Sequence, residues 1–113
     1  MKKCLVLVGL IAMLGTTAQA NDFPTSARVE YVLGCMDQHG GQNYNTLYGC
    51  VCSVDKIAAE MPFKRFDYAQ TMSVMIRTPG ERGGAFRDAP GARKLVKDYK
   101  NLLKTAEASC FIK

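Results

Sequence analysis

Cys50 and Cys52 stand one residue apart, with Cys35 before them and Cys110 far behind. In a helix, residues two apart point about 200° away from each other, so this pair cannot bridge itself and each member needs a partner elsewhere. Two pairings remain: Cys35–Cys50 with Cys52–Cys110, or Cys35–Cys52 with Cys50–Cys110. An antiparallel hairpin turning at Gly40-Gly41 would bring Cys50 nearer to Cys35 than Cys52, which favours the first pairing and leaves the second open. Either pairing makes the Cys50–Cys52 segment the hub of the fold. Chain-entropy reasoning assigns such loops roughly 3 and 4 kcal/mol, comparable with the ~5–15 kcal/mol net stability of a whole domain.

Disulfides require an oxidising compartment, and the opening residues predict delivery to one. Met1, Lys2 and Lys3 supply positive charge, Leu5 to Leu14 form an apolar run, and Ala18-Gln19-Ala20 ends it with small residues. This is the pattern of a secretory signal peptide over residues 1–20, cleaved after Ala20. The run is shorter than the roughly 20 residues of a spanning helix. Cys4 precedes it, whereas a lipid-modified cysteine would follow it at the cleavage point, so no membrane anchor is expected. Cleavage leaves 113 − 20 = 93 residues, 21–113, enough for one domain. Loss of Lys2 and Lys3 takes the formal charge from +5 to about +3. With a periplasmic location, that mild basicity argues against nucleic acid as a partner.

Helical punctuation divides the remainder into four segments. The first runs from Ser26 to Gln38 with Val29, Val32, Leu33 and Met36 on one side, and stops at Gly40-Gly41. The second starts near Asn43 and carries Leu47, Val51, Val54, Ala58 and Met61 as one apolar stripe until Pro62 ends it. Arg65 to Arg77 forms the third, with Phe66, Ala69, Met72, Met75 and Ile76. Pro90 to Ser109 forms the fourth, burying Leu95, Val96, Tyr99, Leu102, Leu103 and Ala106. No segment alternates like a half-buried strand. The expected fold is all-α, a small four-helix array stapled by two disulfides.

Between the third and fourth segments, Arg77-Thr78-Pro79-Gly80-Glu81-Arg82-Gly83-Gly84-Ala85-Phe86-Arg87-Asp88 reads as a long loop. Arg77, Arg82 and Arg87 among glycines, with Phe86, have the chemistry to grip a carboxylate, a phosphate or an acidic partner surface. The competing structural reading has Glu81 and Asp88 pairing with the arginines while Phe86 plugs the core. Gly41-Gln42-Asn43-Tyr44-Asn45 reads first as a turn and helix cap.

Cys35, His39, Cys50 and Cys52 contain the donor types of a zinc or copper site, but export favours disulfides over thiolates. Met36, Met61, Met72 and Met75 are soft donors for copper(I), yet methionine at helical spacing usually fills a core. No metal or other cofactor is therefore expected. Catalysis is not expected either. His39 is the only histidine, and no Gly-x-Ser-x-Gly elbow, phosphate loop, dinucleotide fingerprint or Cys-x-x-Cys pair is present.

The run from Leu47 to Ala58 containing Cys50-Val51-Cys52, the stretch Gly80 to Asp88 and the terminal Cys110-Phe111 resemble a family of small exported tetracysteine proteins. That family is associated with periplasmic quinoprotein alcohol dehydrogenases. The resemblance implies an accessory part in periplasmic alcohol oxidation, with another periplasmic protein as partner. In size and helicity the chain also resembles the small acid-stress chaperones of the periplasm, although those typically carry one disulfide. The second expectation is thus a chaperone, and the third a soft-metal carrier.

Overall fold

A computed structural model describes residues 21–111; the signal-peptide expectation for 1–20 lies outside them. Five helices follow one another: α1 (Thr25–Gln38), α2 (Tyr44–Glu60), α3 (Phe63–Met75), α4 (Glu81–Arg87) and α5 (Ala92–Cys110). Among the described residues there is no strand. The all-α class stands, but the array has five helices where four were expected.

The extra helix is α4, within the stretch read as a glycine-rich loop. Gly83 makes it possible: a Cβ there would fall on the Thr78 carbonyl oxygen, so only glycine lets α4 lie against the turn leaving α3. Glu81 in its first turn and Arg87 in its last match the helix dipole. Gly91, at φ 76°, then turns the chain into α5.

Local chemistry sets the other boundaries. Gly40 and Gly41, at φ 105° and 92°, end α1, and the Gly41 N–H donates back to the Met36 carbonyl at 2.8 Å. Asn43 caps α2 through a reciprocal box: its Oδ1 accepts from the Thr46 N–H at 3.0 Å, and Thr46 Oγ1 accepts from the Asn43 N–H at 3.2 Å. No side chain of its own caps α3. Asp22 does so from outside, its Oδ2 accepting from the Phe63 N–H at 3.0 Å. The neighbouring Phe23 packs its ring 5.0 Å from Phe66 and 5.3 Å from Phe63. That cap lets α3 begin at Phe63, two residues ahead of the Arg65 expected.

Disulfides join Cys35 to Cys50 and Cys52 to Cys110, with Cα–Cα distances of 5.8 and 5.7 Å. This is the favoured pairing, and it makes α2 the hub between α1 and α5. The main core gathers Phe23, Val54, Ile57, Met61, Phe66, Ala69, Tyr99 and Ala106. Cys35, Met36 and Cys50 form a second cluster, and Met72, Ala92 and Val96 a third.

The stripe expected for α2 is only part of its buried face. Ile57 and Ser53 are fully buried although neither lies on that stripe, while Val51 is 40 % exposed. A helix with a neighbour on each side buries a wider arc than one amphipathic stripe. On the α5 side, Gly49 lies under the Phe111 ring, which would sit 2.6 Å from an added Cβ, and Lys56 Nζ reaches Ser109 Oγ at 2.8 Å. The side assigned to α1 is also corrected: Val32 and Met36 turn inward, but Val29 and Leu33 stand half exposed.

Candidate functional site

Helices α1 and α3 leave a groove between them, with α5 as its floor. A cavity of about 310 Å³ occupies it, lined by both helices and by Tyr99, Leu103 and Glu107 of α5. Small residues on α1 make the room: Ser26, Ala27 and Gly34 all line it, and a Cβ on Gly34 would meet nothing within 4 Å. Glu30 from α1 and Asp67 from α3 contribute carboxylates, with Glu107 as a third. No lysine or arginine lines the cavity.

At one end of the groove Glu107 ties α5 to α1. Its Oε1 accepts from the Tyr31 hydroxyl at 2.9 Å, and its Oε2 lies 3.1 Å from His39 Nε2. The His39 ring stacks on Phe111, with centroids 4.2 Å apart and planes 15° apart. Burial, reinforced by the hydrogen bond to Glu107 and its charge, pushes the Tyr31 phenol well above the ordinary tyrosine range. Burial, then the Glu107 charge, raises Tyr99 as well. A raised tyrosine pKa means the folded state keeps a proton that the unfolded chain releases near pH 10, so stability is full below that pH and falls above it. Urea midpoints at pH 7, 9.5 and 11 should show the loss between the last two values. Tyr31→Phe should lower the midpoint at pH 7 and make the alkaline fall shallower; an equally steep fall would contradict the assignment.

His39 and Glu107 have the spacing of a base and its orienting carboxylate, and Cys35 beside them is not a free thiol. Cys35, whose sulfur lies within 4.8 Å of donors on His39 and Glu107, is held in its disulfide with Cys50. Its thiolate is thereby withdrawn from the metal set read in the sequence, and Cys50 and Cys52 are withdrawn likewise. Of the four methionines read as soft donors, Met36, Met61 and Met72 belong to three different core clusters, and Met75 is exposed at the end of α3.

The arginine stretch divides by position. Arg87 is spent on structure: Nη1 donates to the Ile76 and Thr78 carbonyls at 3.2 and 3.0 Å, and Nη2 to the Gly80 carbonyl at 3.2 Å. The guanidinium therefore closes the turn that links α3 to α4. Neither Glu81 nor Asp88 forms an ion pair with these arginines among the described residues. Arg77 and Arg82 are exposed, and Phe86, expected as a core plug under the structural reading, is 37 % exposed. Arg77, Arg82 and Phe86 thus remain outside for contact, while Arg87 does not.

Sequence reading passed over Glu30, Asp67 and Glu107. The signal for Glu107 was present: it extends the Tyr99, Leu103 row by one more turn of α5, a charged residue on an inward line. Glu30 and Asp67 are ordinary surface acids by pattern, and only the α1–α3 gap brings them to one cavity.

Apolar side chains also remain outside the core on the α1–α2 hairpin. Val29 and Leu33, 50 % and 48 % exposed, stand one turn apart on α1, and Tyr44, Tyr48 and Val51 follow one another up α2. Tyr44 also borders a shallow crevice with Leu47 of α2 and Met36 of α1. The two disulfides place this hairpin in an oxidising, exported setting. Among the described residues no helix is long and apolar enough to cross a membrane. No family model, no curated protein and no solved structure matches the chain.

Proposed function

We propose that this chain is exported to the periplasm by residues 1–20 and serves there as a non-catalytic accessory protein, docking a partner of a quinoprotein alcohol-oxidation system. The observation that supports docking is the exposed apolar row on each helix of the hairpin, Val29 and Leu33 on α1 and Tyr44, Tyr48 and Val51 on α2. Large exposed apolar surface on a small exported domain is the usual mark of an interaction face, and tyrosine is enriched at such faces. The Cys35–Cys50 bridge ties α1 to α2, so the face is presented with little ordering cost on binding. The alcohol-oxidation assignment rests on the tetracysteine resemblance.

The test is dye-linked alcohol dehydrogenase activity in periplasm from cells lacking this chain. Activity should fall several-fold, return with the wild-type chain, and fail to return with a Leu33→Asp, Tyr48→Asp variant that keeps its helical spectrum. Unchanged activity in the deletion would remove the alcohol-oxidation reading. Full rescue by the variant would remove the hairpin face. The chain recovered from periplasm should have the mass of a protein beginning at Asn21; an uncleaved mass would refute the export signal.

A further inference from the structure

The two disulfides differ in what surrounds them. Cys35 is 4 % exposed and Cys50 fully buried, whereas Cys52 and Cys110 are only partly buried. Exchange needs a thiolate to reach a disulfide sulfur, so access decides which bridge reacts while the fold is intact. Phe111 widens the difference. Its ring packs against the cluster of Cys35, Met36 and Cys50, covers Gly49 and stacks on His39 with centroids 4.2 Å apart. What ties this cover to α2 is its neighbour Cys110, through the bond to Cys52.

The partly buried bridge also has a charge beside it. Lys56 stands one turn beyond Cys52 on the same side of α2. Its Nζ reaches Ser109 Oγ at 2.8 Å, and that oxygen lies 3.9 Å from Cys110 Sγ. A nearby ammonium group stabilises a departing thiolate. Cys110 is the last residue of α5, where the helix dipole opposes negative charge. Cys52, inside α2 and one turn from Lys56, meets no such penalty and is the better leaving group.

We propose that Cys52–Cys110 is a thiol-exchange site, open to an incoming thiol while the protein is folded, and that Phe111 shields Cys35–Cys50 from the same reaction. The incoming thiolate attacks Cys110 Sγ. A new S–S bond forms there, the bond between Cys110 and Cys52 breaks, and Cys52 departs as the thiolate. With a dithiol, the second thiolate of the reagent then attacks the reagent's own sulfur in the mixed bond, and Cys110 leaves. The protein thereby gains two electrons and two protons, and the reagent becomes a disulfide. Only then is Phe111 untied from α2.

Timed reduction of the native protein with dithiothreitol, quenched by alkylation and read by peptide mass, tests the assignment. Cys52 and Cys110 should be alkylated at a rate about tenfold or more above that of Cys35 and Cys50, with the helical spectrum kept at that stage. Urea too dilute to unfold the protein should leave the first rate unchanged, because the native state itself reacts. Lys56→Met should slow that rate severalfold, and Lys56→Arg should preserve it. With reduced glutathione, a monothiol, the mixed disulfide should map to Cys110. Phe111→Ala should bring the reduction of Cys35–Cys50 close to the rate of the first bridge, again without dependence on dilute urea. Simultaneous loss of both bridges, or a first rate that climbs with dilute urea, would overturn the proposal, since exchange would then require unfolding. A glutathione adduct on Cys52 would overturn the direction of attack. A buried bridge as slow in Phe111→Ala as in the wild type would overturn the shield. None of these outcomes bears on the hairpin face.

Discussion

Gly83→Ala should destabilise the protein by about 1–3 kcal/mol, the usual penalty for forcing an atom into occupied space. The new methyl group would fall on the Thr78 carbonyl oxygen, a backbone atom that cannot swing aside as a side-chain tip can. α4 must then lift away from the end of α3, carrying with it the Arg87 guanidinium that closes the Ile76, Thr78 and Gly80 carbonyls. Gly84 is the internal control. An added Cβ there meets only Arg87 Nη2, at 3.7 Å, so Gly84→Ala should be neutral or stabilising by up to about 1 kcal/mol. Urea unfolding of the two variants should displace the midpoint in opposite directions or move only the first. Equal behaviour would mean that α4 does not pack as described.

Removal of the Cys35–Cys50 bridge should cost at least as much as removal of Cys52–Cys110, although loop length alone predicts the reverse. The enclosed separations, 15 and 58 residues, correspond to roughly 3 and 4 kcal/mol of chain entropy. Burial changes the order. Cys35 is 4 % exposed and Cys50 fully buried, packed with Met36, so Cys35→Ala with Cys50→Ala also leaves a void. Cys52 and Cys110 are only partly buried, and their loss is mainly entropic. Thermal midpoints of the two double-alanine variants decide the point: a clearly milder loss for Cys35–Cys50 would show that loop entropy dominates. With both bridges reduced, the summed loss of roughly 7 kcal/mol is comparable with the net stability of a small domain. The helical spectrum at 37 °C should then collapse in reductant.

Much of the architecture was legible because it is written in local chemistry. The Gly40-Gly41 stop, the Asn43 cap and Pro62 each act through backbone geometry or a hydrogen bond within a few residues, so their signals are contiguous in sequence. The disulfide pairing was nearly legible too, since the opposed directions of Cys50 and Cys52 left only two choices. α4 was hidden by Gly83-Gly84: glycines count against a helix by propensity, and a tertiary contact with Thr78 is what requires the first of them. Arg87 was misplaced for a related reason, because its partners are backbone carbonyls up to eleven residues away, which no charge pattern announces.

The sequence by itself determined a helical chain with two disulfides, the segment that joins them, and most of the inward-facing residues, because periodicity and caps are properties of single helices. Only the tertiary structure decided what lies between helices. It turned the expected loop into α4, widened the buried face of α2 by giving it a neighbour on each side, and left Val29 and Leu33 without cover. It also brought Glu30, Asp67 and Glu107 to one cavity. Those outcomes depend on the distances between helices, and a periodic pattern carries the direction in which a side chain leaves its own axis but not what stands opposite it.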